Sequence, residues 1–124
     1  MNFTIGKQMK DIIRHNPERK LSDAVEHNGV VYLAGQVAEE LNVGMKEQTQ
    51  DVLRQIDALL AKCGTNKSRI LSATVYVNDM KLKPQMDAAW LAWVDQSNPP
   101  ARATVQAQLG SSDTLVEIMC IAAK

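Results

Sequence analysis

The 124-residue sequence predicts an α+β domain of two layers, a mixed sheet carrying two helices on one of its faces. Three observations predict it. Strand-like runs come in adjacent pairs at both ends of the chain, two amphipathic helical stretches lie between those pairs, and a β-branched strand with apolar residues in both alternating sets separates the helices.

Residues 22–27 (SDAVEH) and 30–37 (VVYLAGQV) flank Asn28-Gly29, a dipeptide suited to the positive φ angles of a tight hairpin turn. Gly35 interrupts the second run and marks a bulge or a close approach of another backbone or a ligand. Residues 45–63 place Met45, Val52, Ile56, Leu59, Leu60 and Cys63 at helical spacing, and Gly64 supplies the stop. RILSATVYV (69–77) is apolar in both alternating sets, as expected of a central strand covered on both faces. Pro84 can open a second helix, whose stripe of Met86, Ala89, Trp90, Trp93 and Val94 ends before Asn98-Pro99-Pro100. Two further strands, 101–109 and 114–123, are separated by Gly110-Ser111-Ser112-Asp113 and read as a second hairpin. With both helices on one side, the other sheet face needs a cover, and another copy of the chain is the expected one.

Composition excludes several functions. Fourteen basic and fourteen acidic residues cancel, so no net field draws in polyanions, and five aromatics offer little for stacking bases. Nucleic acid is disfavoured as a partner. No apolar run reaches membrane-helix length, and MNFTIGKQMKD carries charge too early for a secretion leader. Cys63 and Cys120 have no paired spacing, which suits free thiols in a cytoplasmic protein. His15 and His27 lack ligand spacing with each other or with a carboxylate, so no metal is expected; Ser68, Ser72 and Ser111 lack a nucleophile-elbow context. Trp90, Trp93 and Met86 read as helix core rather than an aromatic cage.

Alternation through 102–109 sends Arg102, Thr104, Gln106 and Gln108 to one face of their strand. Glu117 sits among Leu115, Val116, Ile118 and Met119, where a carboxylate needs a partner. Two readings stand. Arg102 and Glu117 can form a structural ion pair across the hairpin or line a polar subunit interface; alternatively, the guanidinium can grip a substrate carboxylate in bidentate fashion.

PPARATVQAQL followed by LVEIMCIAA resembles the C-terminal signature of the RidA/YjgF family, and YLAGQV (32–37) resembles its Ser-Gly-Gln segment. Gln48, Thr49 and Ile56 fall at the expected places in helix one, so the resemblance runs from about residue 22 onward. SDAVEHNGVVYLAG, GTNKSRIL and AWLAWV are similar to the divergent YoaB-like branch.

The resemblance implies one domain over 1–124 with a chorismate-mutase-like fold, assembled as a homotrimer with sites between subunits. It implies cofactor-free hydrolytic deamination of reactive 2-imino acids, or their enamine tautomers, to 2-oxo acids and ammonia. Arg102 would bind the carboxylate and Glu117 would orient the water. Thr104, Gly35, Ala34, Leu21 and Ala103 would line the substrate site. Three of these positions depart from the family pattern: Ala34 replaces a serine, Thr104 a cysteine and Leu21 a tyrosine. Asp87 stands where many relatives carry asparagine and would add negative charge near the cleft. The departures keep a second hypothesis in view, a trimeric binding or sensing protein for small carboxylates without catalysis. The ribonuclease and translation-inhibitor labels carried by some relatives draw no support from the composition.

Overall fold

Asn28 and Gly29 take φ angles of 52° and 77°, so the predicted tight turn forms and folds strand β2 (Ala24–His27) onto β3 (Val30–Leu33). The structure is a computed structural model that describes residues 11–124. Residues 1–10, which hold most of the stretch read for a leader, lie outside the described residues. A short strand, β1 (Ile13–His15), pairs with the outer edge of β2. The run predicted as one strand over 30–37 breaks at Ala34-Gly35, and its end, β4 (Gln36–Val37), pairs with β7 (Val116–Ala123).

Helix α1 (Met45–Lys62) forms because Met45, Gln48, Thr49, Val52, Leu53, Ile56 and Leu60 recur on one face, which is buried. Gln48 is a polar member of that stripe and is fully satisfied. Its Nε2 donates to the carbonyls of Leu41, Val43 and Asp113, and its Oε1 accepts from Leu115 N–H. One amide thus ties the loop before α1 to the loop before β7.

Strand β5 (Ile70–Val77) is followed by helix α2 (Lys83–Trp93) and then β6 (Ala101–Gln106), which pairs with β5 in parallel. A parallel partner demands a crossover, and α2, opened by Pro84 in its first turn, supplies it. Here the structure corrects the sequence reading. β6 and β7 do not form a hairpin; β5 lies between them, antiparallel to β7, in the order β1-β2-β3-β7-β5-β6. Both strands are also shorter than expected, since residues 107–115 carry the chain across the end of β5.

Both helices cover one face of this mixed sheet, as predicted. Ala73, Val75 and Val77 of β5 and Val116, Ile118, Cys120 and Ala122 of β7 are buried beneath them with Val52, Ile56, Leu60, Met86 and Trp90. Trp90 and Trp93 meet at 5.4 Å, tilted, and Trp93 Nε1 donates to Asp57, so the pair is packing between helices, not a cage. The opposite face is open in the single chain. Tyr32, Val37, Val105 and Met119 on it are exposed, and the expectation that the central strand is covered on both sides is not met by the chain's own residues.

Gln48→Leu should therefore cost about 2–4 kcal/mol, because it leaves buried carbonyls and one N–H unpaired for little gain in apolar burial. Urea unfolding, with the exposed Lys46→Gln as control, checks this; a cost under about 0.5 kcal/mol would mean that the loops pair elsewhere.

Candidate functional site

Register decides where the two motif residues go. Arg102 pairs with Ala73 and Thr104 with Val75, both buried under the helices, so Arg102 and Thr104 point to the helix layer. Glu117 pairs with Tyr76 and Val37, in the opposite phase of the pleat, and points to the open face. β5 separates their strands and the register offsets them by three residues, which sets their backbones about 14 Å apart, with the side chains on opposite sides of the sheet. The ion pair between Arg102 and Glu117 expected across a hairpin does not form.

Arg102 finds other company on α2. Its Nη1 lies 2.9 Å from Asp87 Oδ1, an ion-pair contact in which no N–H is aligned on that oxygen, and donates to Met86 Sδ at 3.9 Å, while the guanidinium carbon stands 5.2 Å from the centre of the Trp90 ring. Asp87 Oδ2 takes a 2.6 Å hydrogen bond from Lys83, one turn earlier. Burial alone would raise the Asp87 pKa, but Lys83 and Arg102 outweigh it and hold the carboxylate below its usual value of 3.8. Asp87 is thus neutralised by two cations and does not project a free negative charge. Only one nitrogen of Arg102 is engaged; Nε and Nη2 make no hydrogen bond among the described residues. Thr104 Oγ1, two residues along on the same face, is buried without a partner among the described residues.

At the other location, a Cβ built on Gly35 would overlap the Glu117 carboxylate. The close approach that the glycine signals is therefore to this chain's own side chain. Glu117 forms no ion pair among the described residues. Ala34 has its backbone committed, N–H to Asp23 and carbonyl to the Gln36 amide, both at 2.9 Å. Leu21 is exposed in the loop ahead of β2, and Ala103 is exposed on the open side of β6. Gly35, Ala34 and Glu117 thus form one group, Arg102 and Thr104 another. A cleft of about 430 Å³ at the far end of β6, lined by Asn78, Gln106 and Ser111 among others, includes neither group.

His15 corrects a further expectation. Its Nε2 lies 2.5 Å from the buried Glu26 carboxylate, whose other oxygen binds Lys124 at 2.7 Å, with the Cys63 thiol beside them. Ring nitrogen, carboxylate and sulfur fall within 4.8 Å of one another, a ligand-type cluster that spacing along the sequence does not reveal. Burial pushes Glu26 up, yet hydrogen bonds from Lys124 and His15 win and keep its pKa below 4.5. Burial and the neighbouring Glu26 raise the Cys63 thiol, and burial alone pushes Cys120 up to about 12, so both remain protonated. The cluster reads as a buried hydrogen-bonded network in which the Lys124 ammonium and the His15 ring nitrogen each meet one oxygen of Glu26.

The family model described as Endoribonuclease L-PSP matches residues 12–124. The chain belongs to the RidA/YjgF family. A RutC family protein of Haemophilus influenzae is 48% identical over 107 residues, covering 86% of this chain and 92% of the relative. The RutC family protein YoaB of Escherichia coli is 45% identical over 112 residues, covering 90% and 97%, which agrees with the YoaB-like segments of the sequence. The crystal structure of NMB1025, a YjgF family member from Neisseria meningitidis, superposes with a TM-score of 0.91 at 40% identity, covering 94% of this chain and 97% of that one. This RidA/YjgF chain has, among its described residues, no helix long and apolar enough to cross a membrane.

Gly35→Ala should destabilise by about 1–3 kcal/mol through overlap with Glu117, and adding Glu117→Ala should relieve most of that cost. A double-mutant cycle in urea reads the coupling; additive costs would show that Glu117 is not what Gly35 makes room for. Glu26→Gln should cost about 2 kcal/mol at neutral pH. Because the folded pKa of Glu26 lies below the unfolded one, its contribution is present above pH 4.5 and is lost as pH falls through the folded value. Melts of both proteins from about pH 7 to about pH 3 should therefore converge at the acid end.

Proposed function

We propose that the chain hydrolyses reactive 2-imino acids, or their enamine tautomers, to 2-oxo acids and ammonia, as a single domain over 1–124 that assembles into homotrimers in the cytoplasm. The observation that carries this reading is the state of Arg102. Its guanidinium lies over Trp90 with Nη1 beside Asp87, while Nε and Nη2, the edge that suits a bidentate carboxylate, make no hydrogen bond among the described residues.

Glu117 and Arg102 point to opposite faces of one sheet, so a ligand touching both needs two protomers. The exposed Tyr32, Val37, Val105 and Met119 give a second copy an apolar surface to cover, and β6 offers a free sheet edge beside it. In the proposed site, Arg102 of one protomer fixes the substrate carboxylate, and Glu117 of a neighbouring protomer accepts a proton from water as its oxygen attacks the imine carbon. The C=N π electrons move to nitrogen, which takes up protons. Collapse of the carbinolamine then expels ammonia and leaves the C=O of the 2-oxo acid. Gly35 lets the carboxylate reach this position, and the unpartnered Thr104 hydroxyl, Ala34, Leu21 and Ala103 complete the lining. No cofactor is required, since water is the only co-reactant.

A coupled assay that generates 2-iminobutanoate tests the proposal. The wild type should speed its loss, and Arg102→Ala should lower kcat/KM about 10- to 100-fold, the worth of a charge-assisted grip. Rates equal to the buffer blank across several imino acids would overturn catalysis. Binding of 2-oxo acids without turnover would instead support the carboxylate-binding protein.

A further inference from the structure

Lys83, Asp87 and Trp90 follow one another at i, i+4 and i+7 on α2, so an ammonium, a carboxylate and an indole ring lie in a row on one helix face. Arg102 lies along the last two, with its Nη1 on Asp87 and its plane near Trp90. An arginine on an edge strand otherwise samples many rotamers, and ordering such a side chain on binding costs free energy. Here much of that ordering is already done in the empty chain. We propose that Asp87 is a positioning residue: it clamps Nη1 so that the Nε/Nη2 edge of Arg102 is presented to a carboxylate ligand, and Lys83 offsets its charge so that the site stays net positive. This inference rests on the carboxylate-binding role of Arg102 proposed above and assigns the device that tunes it.

The sign of the effect separates this role from simple charge. Were Asp87 only a negative charge beside an anion site, removing it would tighten binding. As a clamp, its removal weakens binding even though the site becomes more positive. The charge count supports the second role: one carboxylate between two cations leaves Arg102, Lys83 and Asp87 together at +1, with Oδ2 2.6 Å from Lys83 and Oδ1 2.9 Å from Arg102.

Calorimetry with 2-oxobutanoate, beside imine turnover, tests it. For Asp87→Ala, Kd and KM should rise about three- to tenfold while kcat stays within about twofold, because Asp87 touches no reacting atom. Asp87→Asn, which keeps an oxygen for Nη1, should recover most of the affinity; simple charge removal would make Asn and Ala alike. Lys83→Gln, which leaves Asp87 to Arg102 alone, should weaken binding more at low salt than at high. Folded Asp87→Ala with unchanged or tighter binding overturns the clamp. If that variant does not fold, Asp87→Ser, whose shorter side chain cannot reach Nη1, takes its place, and unchanged or tighter binding by it does so. Absence of binding by the wild type overturns the carboxylate site itself, and the clamp with it, which distinguishes the two failures.

Discussion

The double pairing of β5 is the constraint from which the rest follows. Held antiparallel to β7 on one side and parallel to β6 on the other, it fixes the pleat phase of both neighbours at once. A shift of one residue in either register would exchange buried for open positions along a whole strand. In the observed phase Arg102 follows Ala73 under the helices and Glu117 follows Tyr76 into the open. The α2 crossover that makes the parallel pairing possible also delivers Asp87 and Trp90 to Arg102. One topological choice thus builds half of the candidate site and excludes the other half from it.

Local chemistry made much of this legible. Asn28-Gly29 specifies its turn, the stripe of α1 its buried face, and Pro84 the start of α2. The residues that share a strand face with Arg102 were also readable from alternation. What alternation does not encode is which side that face takes or which strand lies next to it, because those depend on pairing between distant segments. Gly110-Ser111-Ser112-Asp113 looks like a turn between sequence neighbours, and most sequence neighbours do pair. A parallel β5–β6 contact overrides it, since the pair is joined through a helix and closes the sheet on the far side of β5.

Glu26 shows the same limit from another angle. It shares the phase of Ala24 in β2, so alternation alone marks it as a buried position, yet its partners arrive from β1 and from residue 124, the far end of the sequence. Lys124 N–H also bonds Gly29 O, which brings the final residue to the β2–β3 turn and its ammonium to Glu26. The carboxylate is tolerated because the Lys124 ammonium and the His15 ring each hold one of its oxygens; the apolar neighbours of Glu117 offered no comparable clue, and that side chain sits instead over a glycine.

The chemistry asked of such a site is small, and this bears on the name of the matching family model. Cleaving RNA requires holding a polyanion and managing protons at both an attacking and a leaving oxygen, tasks that call for a strong positive field and several convergent groups. Around Arg102 the field is trimmed to a single net charge by Asp87, and the residues exposed across the open face are mainly apolar. A lone guanidinium edge is enough to grip one small carboxylate, whereas a nucleic-acid backbone is held by several cations acting along it. Imines, by contrast, hydrolyse in water unaided, so a fixed substrate and one oriented water can account for useful acceleration without a cofactor. So sparse an arrangement supports the proposed imine hydrolysis over RNA cleavage, and that proposal needs two protomers to bring Arg102 and Glu117 to the same substrate.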